Sequence, residues 1–452
     1  MVDVTWISSF IGLNQENYAH HGCSKLQQTI SPILKLVWKQ CVNTAKKISK
    51  SFFEELLTSN FERGLEDIVK TRLINVENIG TLYIHIPFCN RPCTFCCFVR
   101  YPYNETQYKA YIKALKKEIE VLSTYLEDRK LDVYVGGGTP TINIEGLLDI
   151  LDTVVSLFKV REVSVEANPH TLNIDAVKAL ADKVDRLSIG IQSLRSHTLA
   201  KIGRRNHTIE EAVDAVKLAS LYFKTVNVDL LWGLPDQDAD EIVEDAIKLI
   251  GLGANQITFY PSMPGLDEDA ILFKRIFGET SFDRDYRSYR KIYLAMVQNG
   301  FYPRTAWHFQ LGQGLVDEYI VSGESYVGVG VSSISLVGDL VLVNTFNIEK
   351  YIDRINNRRF AFVKAKLMTD VERTFYDIMM ASFSLNIPEP MLERLPKHYR
   401  VLVKLVLSTK FRREGAIYKP RNVDAMFIIS EAMRTFLSSL SWFRRRMMKI
   451  QA

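Results

Sequence analysis

YIHIPFCNRPCTFCCF, residues 83–98, sets three thiols at C-x3-C-x2-C spacing directly after a β-rich apolar run. A strand ending in such a loop delivers Cys89, Cys93 and Cys96 to one small object, and iron and zinc are the candidate metals. Structural zinc closes with four ligands, commonly from paired knuckles, and no second Cys/His pair at knuckle spacing exists here. Three thiolates on a cluster of four irons leave one iron open to a chelating substrate, as open metal sites do in catalysis. Cys97 is the alternative fourth ligand, but neighbouring residues on a turn point in different directions, which favours packing beside the cluster.

On either side of this loop, short β-rich runs alternate with amphipathic stretches. TLYIHI (81–86), LDVYV (131–135), EVSVE (162–166), RLSIG (186–190), VNVDLL (226–231) and QITFY (256–260) read as strands of a parallel sheet covered on both faces. Between the first two, Tyr108, Tyr111, Ile112, Leu115, Ile119 and Leu122 recur at helical spacing with lysines and glutamates opposite, the pattern of a covering helix. Repeated βα units close into a barrel or stay open, and functional residues gather at the C-terminal ends of the strands. There stand the glycine turn VGGGTP (135–140), Glu166, Gln192 and Asp229, with Arg204 expected on the helix that follows Gln192. Missing side chains at Gly137 and Gly138 would let backbone approach a ligand closely.

The bulk numbers exclude some classes. Of 452 residues, 47% are hydrophobic and 24% charged, a globular composition, and 57 basic against 52 acidic residues give a net charge of +5, too small to argue for nucleic acid. Anionic small molecules stay open as partners. No stretch reaches the roughly 18 apolar residues of a membrane span, and MVDVTWISSF lacks the marks of a signal peptide, so a cytoplasmic location is expected. The organisation expected is a helical segment over 1–78, a core over 79–300, a strand-rich segment over 301–359 that completes the active site, and a helical module over 360–452 opened by a capping box at Thr369 and Glu372. Cys23 and Cys41 read as ordinary buried thiols, and the apolar tail from Met426 reads as docking on the protein.

C-x3-C-x2-C with Phe95 before the third cysteine resembles the radical S-adenosylmethionine (radical SAM) signature, and YIHIPFC resembles the oxygen-independent coproporphyrinogen III oxidase group. The resemblance implies an α/β fold, a partial (β/α)6 TIM-like barrel. It implies a 4Fe-4S cluster on Cys89, Cys93 and Cys96, with SAM chelating the fourth iron and yielding a 5′-deoxyadenosyl radical on reduction by an electron-donor protein. Gly137, Gly138 and Thr139 would then hold the methionyl part of SAM, and Tyr83, Phe95, Glu166, Gln192, Arg204 and Asp229 would surround it. YVGVGVSSISLVGD, residues 326–339, resembles a further segment of those enzymes and places Ile334 against the nucleoside.

The substrate so implied is coproporphyrinogen III, two of whose propionates would lose carbon dioxide to become vinyl groups in turn. One departure bears on this: the family places its extra cysteine as C-x-C, whereas here position 98 is Phe98 and the extra thiol is Cys97. Related radical SAM enzymes open a porphyrin ring or modify other substrates, and another relative is a haem chaperone, which carries an H-N-x-x-Y-W stretch missing here. His85 reads as structural, whereas Arg304 and His308 are candidates to meet a carboxylate-rich substrate.

Overall fold

A computed structural model describes residues 32–61, 65–126, 129–312 and 324–451. The six expected strands form, as β1 (Ile79–Ile86), β2 (Lys130–Gly137), β3 (Lys159–Ala167), β4 (Arg186–Gln192), β5 (Thr225–Trp232) and β6 (Gln256–Pro261). They lie side by side in chain order, all parallel, which is the partial (β/α)6 barrel. Helices cover their outer face, where Leu187, Ile189 and Ile191 of β4 and Val226, Val228 and Leu230 of β5 are buried.

The opposite face of the same strands is buried but polar. Arg186 donates from Nε to Gln256 Oε1 at 2.7 Å and from Nη1 to Ser164 Oγ at 3.0 Å. Asn227 donates to Ser188 Oγ at 2.8 Å, and Thr258 donates to Asn227 Oδ1 at 3.0 Å. These residues alternate along their strands with the apolar set, so period-2 geometry puts them on one concave surface. A buried polar group costs free energy unless it is paired, and here each partner comes from another strand.

The sheet continues on both sides. Beyond β6 lies the antiparallel β7 (His308–Gln310). On the other side β8 (Ser325–Val329) runs parallel to β1, followed by antiparallel β9 (Ile334–Val337), β10 (Leu340–Asn344) and β11 (Phe362–Leu367). Residues beyond 360 thus contribute a strand to the main sheet and a small three-stranded sheet as well as helices. The capping box at Thr369 and Glu372 does open a helix, Asp370–Phe383.

The covering helix Glu105–Ser123 buries all six residues of the expected stripe. It also buries Glu118, whose carboxylate accepts from Gly330 N at 2.7 Å, the Asn344 amide at 3.0 Å and the Tyr351 hydroxyl at 2.6 Å. This one side chain ties the helix to the segment after β8, to β10 and to the helix Ile348–Asn356. Glu118→Ala leaves three buried donors without their acceptor, a loss of about 3 kcal/mol or more. A lower urea midpoint, with a smaller drop in Glu118→Gln, is the expected result, and an unchanged midpoint in both variants removes the role.

The N-terminal helix Pro32–Thr58 lies along the C-terminal helix Val423–Gln451, joined by the Phe53–Phe443 ring contact at 5.5 Å and the Ser49–Ser439 hydroxyl pair at 2.8 Å. The apolar tail therefore docks on its own protein: Trp307 Nε1 donates to Ser430 Oγ at 2.7 Å, and the buried Arg434 pairs with Asp285 at 2.9 Å. Cys23 lies outside the described residues, as does the side chain of Cys41. Among the described residues no helix is long and apolar enough to cross a membrane.

Candidate functional site

The cysteine loop leaves the end of β1 and is pinned at its base, where Tyr101 N donates to Pro87 O at 2.6 Å and Tyr103 N to Cys89 O at 3.0 Å. Its interior is shaped by Arg100, whose guanidinium donates to the carbonyls of Cys93, Cys96 and Phe98 at 2.5, 3.2 and 3.0 Å. Thr94 fastens the loop to the end of the helix Ser196–Lys201 through its backbone and hydroxyl, both donating to Ile202 O. Cys89 and Cys93 are buried, and Cys96 and Cys97 half-buried. Burial raises the Cys89 thiol above its usual range and pushes Cys96 up to about 12, with the Arg100 charge opposing both. Among the described residues no three His, Cys, Asp or Glu side chains converge on a single-ion site.

A hydrogen-bonded chain joins two of these thiols across the strand ends. Thr139 Oγ1 donates to Cys89 Sγ at 3.6 Å and accepts from the Asn168 amide at 2.7 Å. Arg204 Nη2 donates to Asn168 Oδ1 at 2.5 Å and to Gly190 O, while its Nη1 donates to Cys93 Sγ at 3.7 Å. The structure thereby brings Cys89, Cys93, Thr139 and Arg204 together. Gln192, at the end of β4 with φ of 70°, comes close to the same place: a Cβ added at Gly190 would meet Arg204, Asn168 and Gln192 within 3.1 Å. Arg204 itself lies just beyond the helix Ser196–Lys201 and not on it, because the chain turns at Gly203 with φ of 67°.

Glu166 accepts from the Tyr134 hydroxyl at 2.9 Å and from Gly137 N at 3.1 Å. The glycine turn is filled by protein. A Cβ at Gly138 would stand 2.6 Å from Phe88 O, and Gly137 has φ of 118° with the His85 ring 2.8 Å from where its Cβ would be. The glycines are thus needed to seat β2 against the cysteine loop. Gly138→Ala forces that backbone apart, and a fall in reconstituted iron is the expected readout, with full iron loading as the contrary result.

Three expected residues lie outside this hydrogen-bonded chain. Asp229 lies deeper on the polar face, accepting from the Asn227 amide at 2.7 Å and from Ser188 Oγ at 3.2 Å. Phe95 packs against the apolar cluster that contains Leu199, Ile202 and Leu234, and Ile334 against the one that contains Val99 and Phe346. Tyr83 is buried, its hydroxyl 2.8 Å from His85 Nδ1. The pair Arg304 and His308 does not converge on one ligand: Arg304 is exposed, while His308 is fully buried with Nδ1 3.0 Å from Thr258 Oγ1.

His85 is structural in its contacts, since Val99 O can only accept and so takes the Nε2 proton at 3.2 Å, leaving Nδ1 to accept from Tyr83. Burial lowers its pKa to about 3. Between pH 6.5 and about 3 the unfolded chain takes up a proton that the folded protein refuses, so stability falls as pH falls, by about 1.4 kcal/mol per unit from this group. The thermal midpoint between pH 7 and 5 should drop more in the wild-type protein than in His85→Gln, and equal slopes would exclude this origin.

The sequence reading passed over Asn168, His170 and Asn206. Among the described residues Arg204 Nε, Asn206 Oδ1 and both ring nitrogens of His170 are buried with no hydrogen-bond partner. Buried polar atoms are as a rule paired, so this cluster fits a polar ligand. The signal lay in the polar runs NPH, after a strand end, and RRNH, after the short helix Ser196–Lys201.

Residues 83–250 match the radical SAM superfamily. The chain is 28% identical over 290 residues to the haem chaperone HemW of Lactococcus lactis, covering 61% of this chain and 75% of that one. It is 26% identical over 342 residues to the oxygen-independent coproporphyrinogen III oxidase of Cereibacter sphaeroides, covering 68% and 74%. The solved structure of the Escherichia coli coproporphyrinogen III oxidase HemN superposes with a TM-score of 0.68 at 19% identity, over 82% of this chain and 93% of that one, a likeness of fold. Proteins of this superfamily bind a 4Fe-4S cluster and SAM, and the three-thiol loop beside unpaired buried polar atoms fits both. Residues 83–250 are a radical SAM domain, in a chain related to the HemW chaperones and the oxygen-independent coproporphyrinogen III oxidases.

Proposed function

We propose that this protein is a radical SAM oxidoreductase that decarboxylates coproporphyrinogen III, with the 4Fe-4S cluster on Cys89, Cys93 and Cys96. The observation that carries the reading is the chain Cys89–Thr139–Asn168–Arg204–Cys93, which makes the thiol loop and the ends of β2, β3 and β4 one polar site. Thr139, Glu166, Gln192 and Arg204 border SAM on its polar side, Gly137 and Gly138 through backbone atoms only, with Asp229 deeper and Tyr83, Phe95 and Ile334 as walls. When bound, the two cofactors supply one-electron cleavage of a sulfonium and abstraction of hydrogen from carbon.

The chain's own residues perform the positioning. Thr139 and Arg204 hold the Cys89 and Cys93 sulfurs by hydrogen bonds, and Arg100 keeps the loop closed around its carbonyls. Arg204 also keeps its Nε free for a ligand acceptor. An electron-donor protein completes the requirement for a reductant.

A second reading, a haem-binding chaperone, is favoured by the relatives named HemW. The two separate in one experiment. The protein is reconstituted anaerobically with iron and sulfide, reduced with dithionite and assayed for 5′-deoxyadenosine with and without coproporphyrinogen III, alongside haem titration. Loss of carbon dioxide from the tetrapyrrole supports the oxidase. 5′-Deoxyadenosine with an untouched tetrapyrrole leaves radical SAM chemistry on another substrate, and haem binding without SAM turnover moves the protein to the chaperone reading.

A further inference from the structure

A cavity of about 230 Å³ opens between the cysteine loop and the last turns of the C-terminal helix. Its walls combine apolar surface from Phe98, Val99 and Met448 with the guanidinium groups of Arg100, Arg444 and Arg445. Three cations in so small a space need counter-charges, and two have evident anchors. Arg100 has no carboxylate partner among the described residues and its Nε is buried unpaired, but both its Nη atoms are held by the carbonyls of Cys93, Cys96 and Phe98, and Arg445 pairs with Asp269 at 2.9 Å. Arg444 has no carboxylate within ion-pair distance among the described residues, and its guanidinium stacks over the Phe98 ring at 5.0 Å. The neighbouring turns are fastened independently: Arg446 pairs with Glu268 at 3.0 Å, and Gln451 Oε1 accepts from Thr345 Oγ1 at 2.8 Å and Phe346 N at 2.7 Å. Arg444 is therefore held on a fixed helix.

Its charge is directed at the barrel. Burial raises the Tyr83 hydroxyl far above its usual range and the Glu166 carboxylate adds to that, while the Arg444 guanidinium opposes both. The Arg444 charge likewise opposes burial at Tyr326, while at His85 it adds to burial in lowering the imidazole; Arg100 and Arg204 are the cations that act on Cys89. An uncompensated guanidinium over an aromatic ring, at the edge of the thiol loop, matches an anion whose remainder is apolar. A carboxylate suits it, since the guanidinium fork takes both oxygens while the ring and Met448 cover the carbon body.

We propose that Arg444 anchors a carboxylate of the reacting molecules in this cavity, so that the C-terminal helix is a wall of the active site. The assignment rests on the reading of the barrel as a radical SAM site. The carboxylate can come from the tetrapyrrole substrate or from SAM, and the test separates them. Holoprotein with reconstituted cluster is prepared as wild type, Arg444→Gln and Arg444→Lys. Coproporphyrin III, a stable oxidised probe, is titrated by its absorption shift, and SAM by equilibrium dialysis.

The expected result is a coproporphyrin Kd weakened about tenfold or more in Arg444→Gln, partly restored in Arg444→Lys, with SAM affinity and iron content unchanged. Weakened SAM binding alone keeps the anchor and makes SAM its ligand. No change in either titration overturns the proposal, as does a joint loss of both affinities and of iron, which marks a structural residue. If wild-type protein cleaves SAM but does not bind coproporphyrin III, the tetrapyrrole reading fails, and Arg444 is then decided by the SAM titration alone.

Discussion

Alanine at Cys89, Cys93 or Cys96 is expected to strip reconstituted iron to near zero, while Cys97→Ala retains the wild-type content. The four thiols are held differently. Cys89 is buried against the Thr139 hydroxyl and Cys93 against the Arg204 guanidinium, and the Cys96 thiol is raised by burial and by its thiol neighbours Cys97 and Cys89. Burial keeps Cys89 and Cys96 protonated in the apoprotein, and binding metal displaces those protons, so affinity comes from all three thiolates acting together. Loss of one leaves a cluster corner open to water. Cys97 lines the cavity beneath the C-terminal helix together with Cys96, and because adjacent residues on a turn point in different directions only one of the two is expected to reach the cluster. Iron and sulfide analysis after anaerobic reconstitution decides the matter. Equal losses at all four positions would overturn the ligand assignment.

The strands were legible because each is a short β-rich run, bounded by glycine or polar residues, in a sheet covered on both faces. Their polar inner face was not. Arg186, Ser188, Asn227 and Thr258 read singly as interruptions, and only the parallel register that sets Ser188 opposite Asn227 turns them into a network. The cysteines were legible through spacing alone, since a loop of seven or eight residues fixes its own geometry. Partners from distant sequence were invisible for the opposite reason: Asn168 gains meaning only when β3 ends beside β2 and β4, and Arg444 only when the C-terminal helix folds back over Phe98. The glycine turn shows a subtler limit. Its composition suggested room for a ligand, yet Phe88 and His85 fill the space where side chains would be. Composition shows that something approaches closely and leaves open whether it is ligand or protein.

Arg204→Ala should lower 5′-deoxyadenosine formation by about 10²- to 10³-fold while much of the iron remains. Arg204 is the hinge of the polar chain, serving Asn168, Gly190 and Cys93 from one guanidinium, and its charge also acts on Cys89. Removing it frees Asn168, hence Thr139, and takes one donor from the Gly190 carbonyl. It also deletes the Nε that has no protein partner, the group best placed to meet a bound ligand. The structural part of this loss is about 1–3 kcal/mol and should appear as a lower thermal midpoint in the apoprotein. Lysine restores the charge but cannot span the three acceptors, so Arg204→Lys should recover iron fully and SAM cleavage only in part. A pure folding role predicts that cleavage recovers together with the midpoint. The split between the two readouts therefore separates a residue that supports the loop from one that also positions SAM, and wild-type cleavage by Arg204→Ala would dismiss both roles.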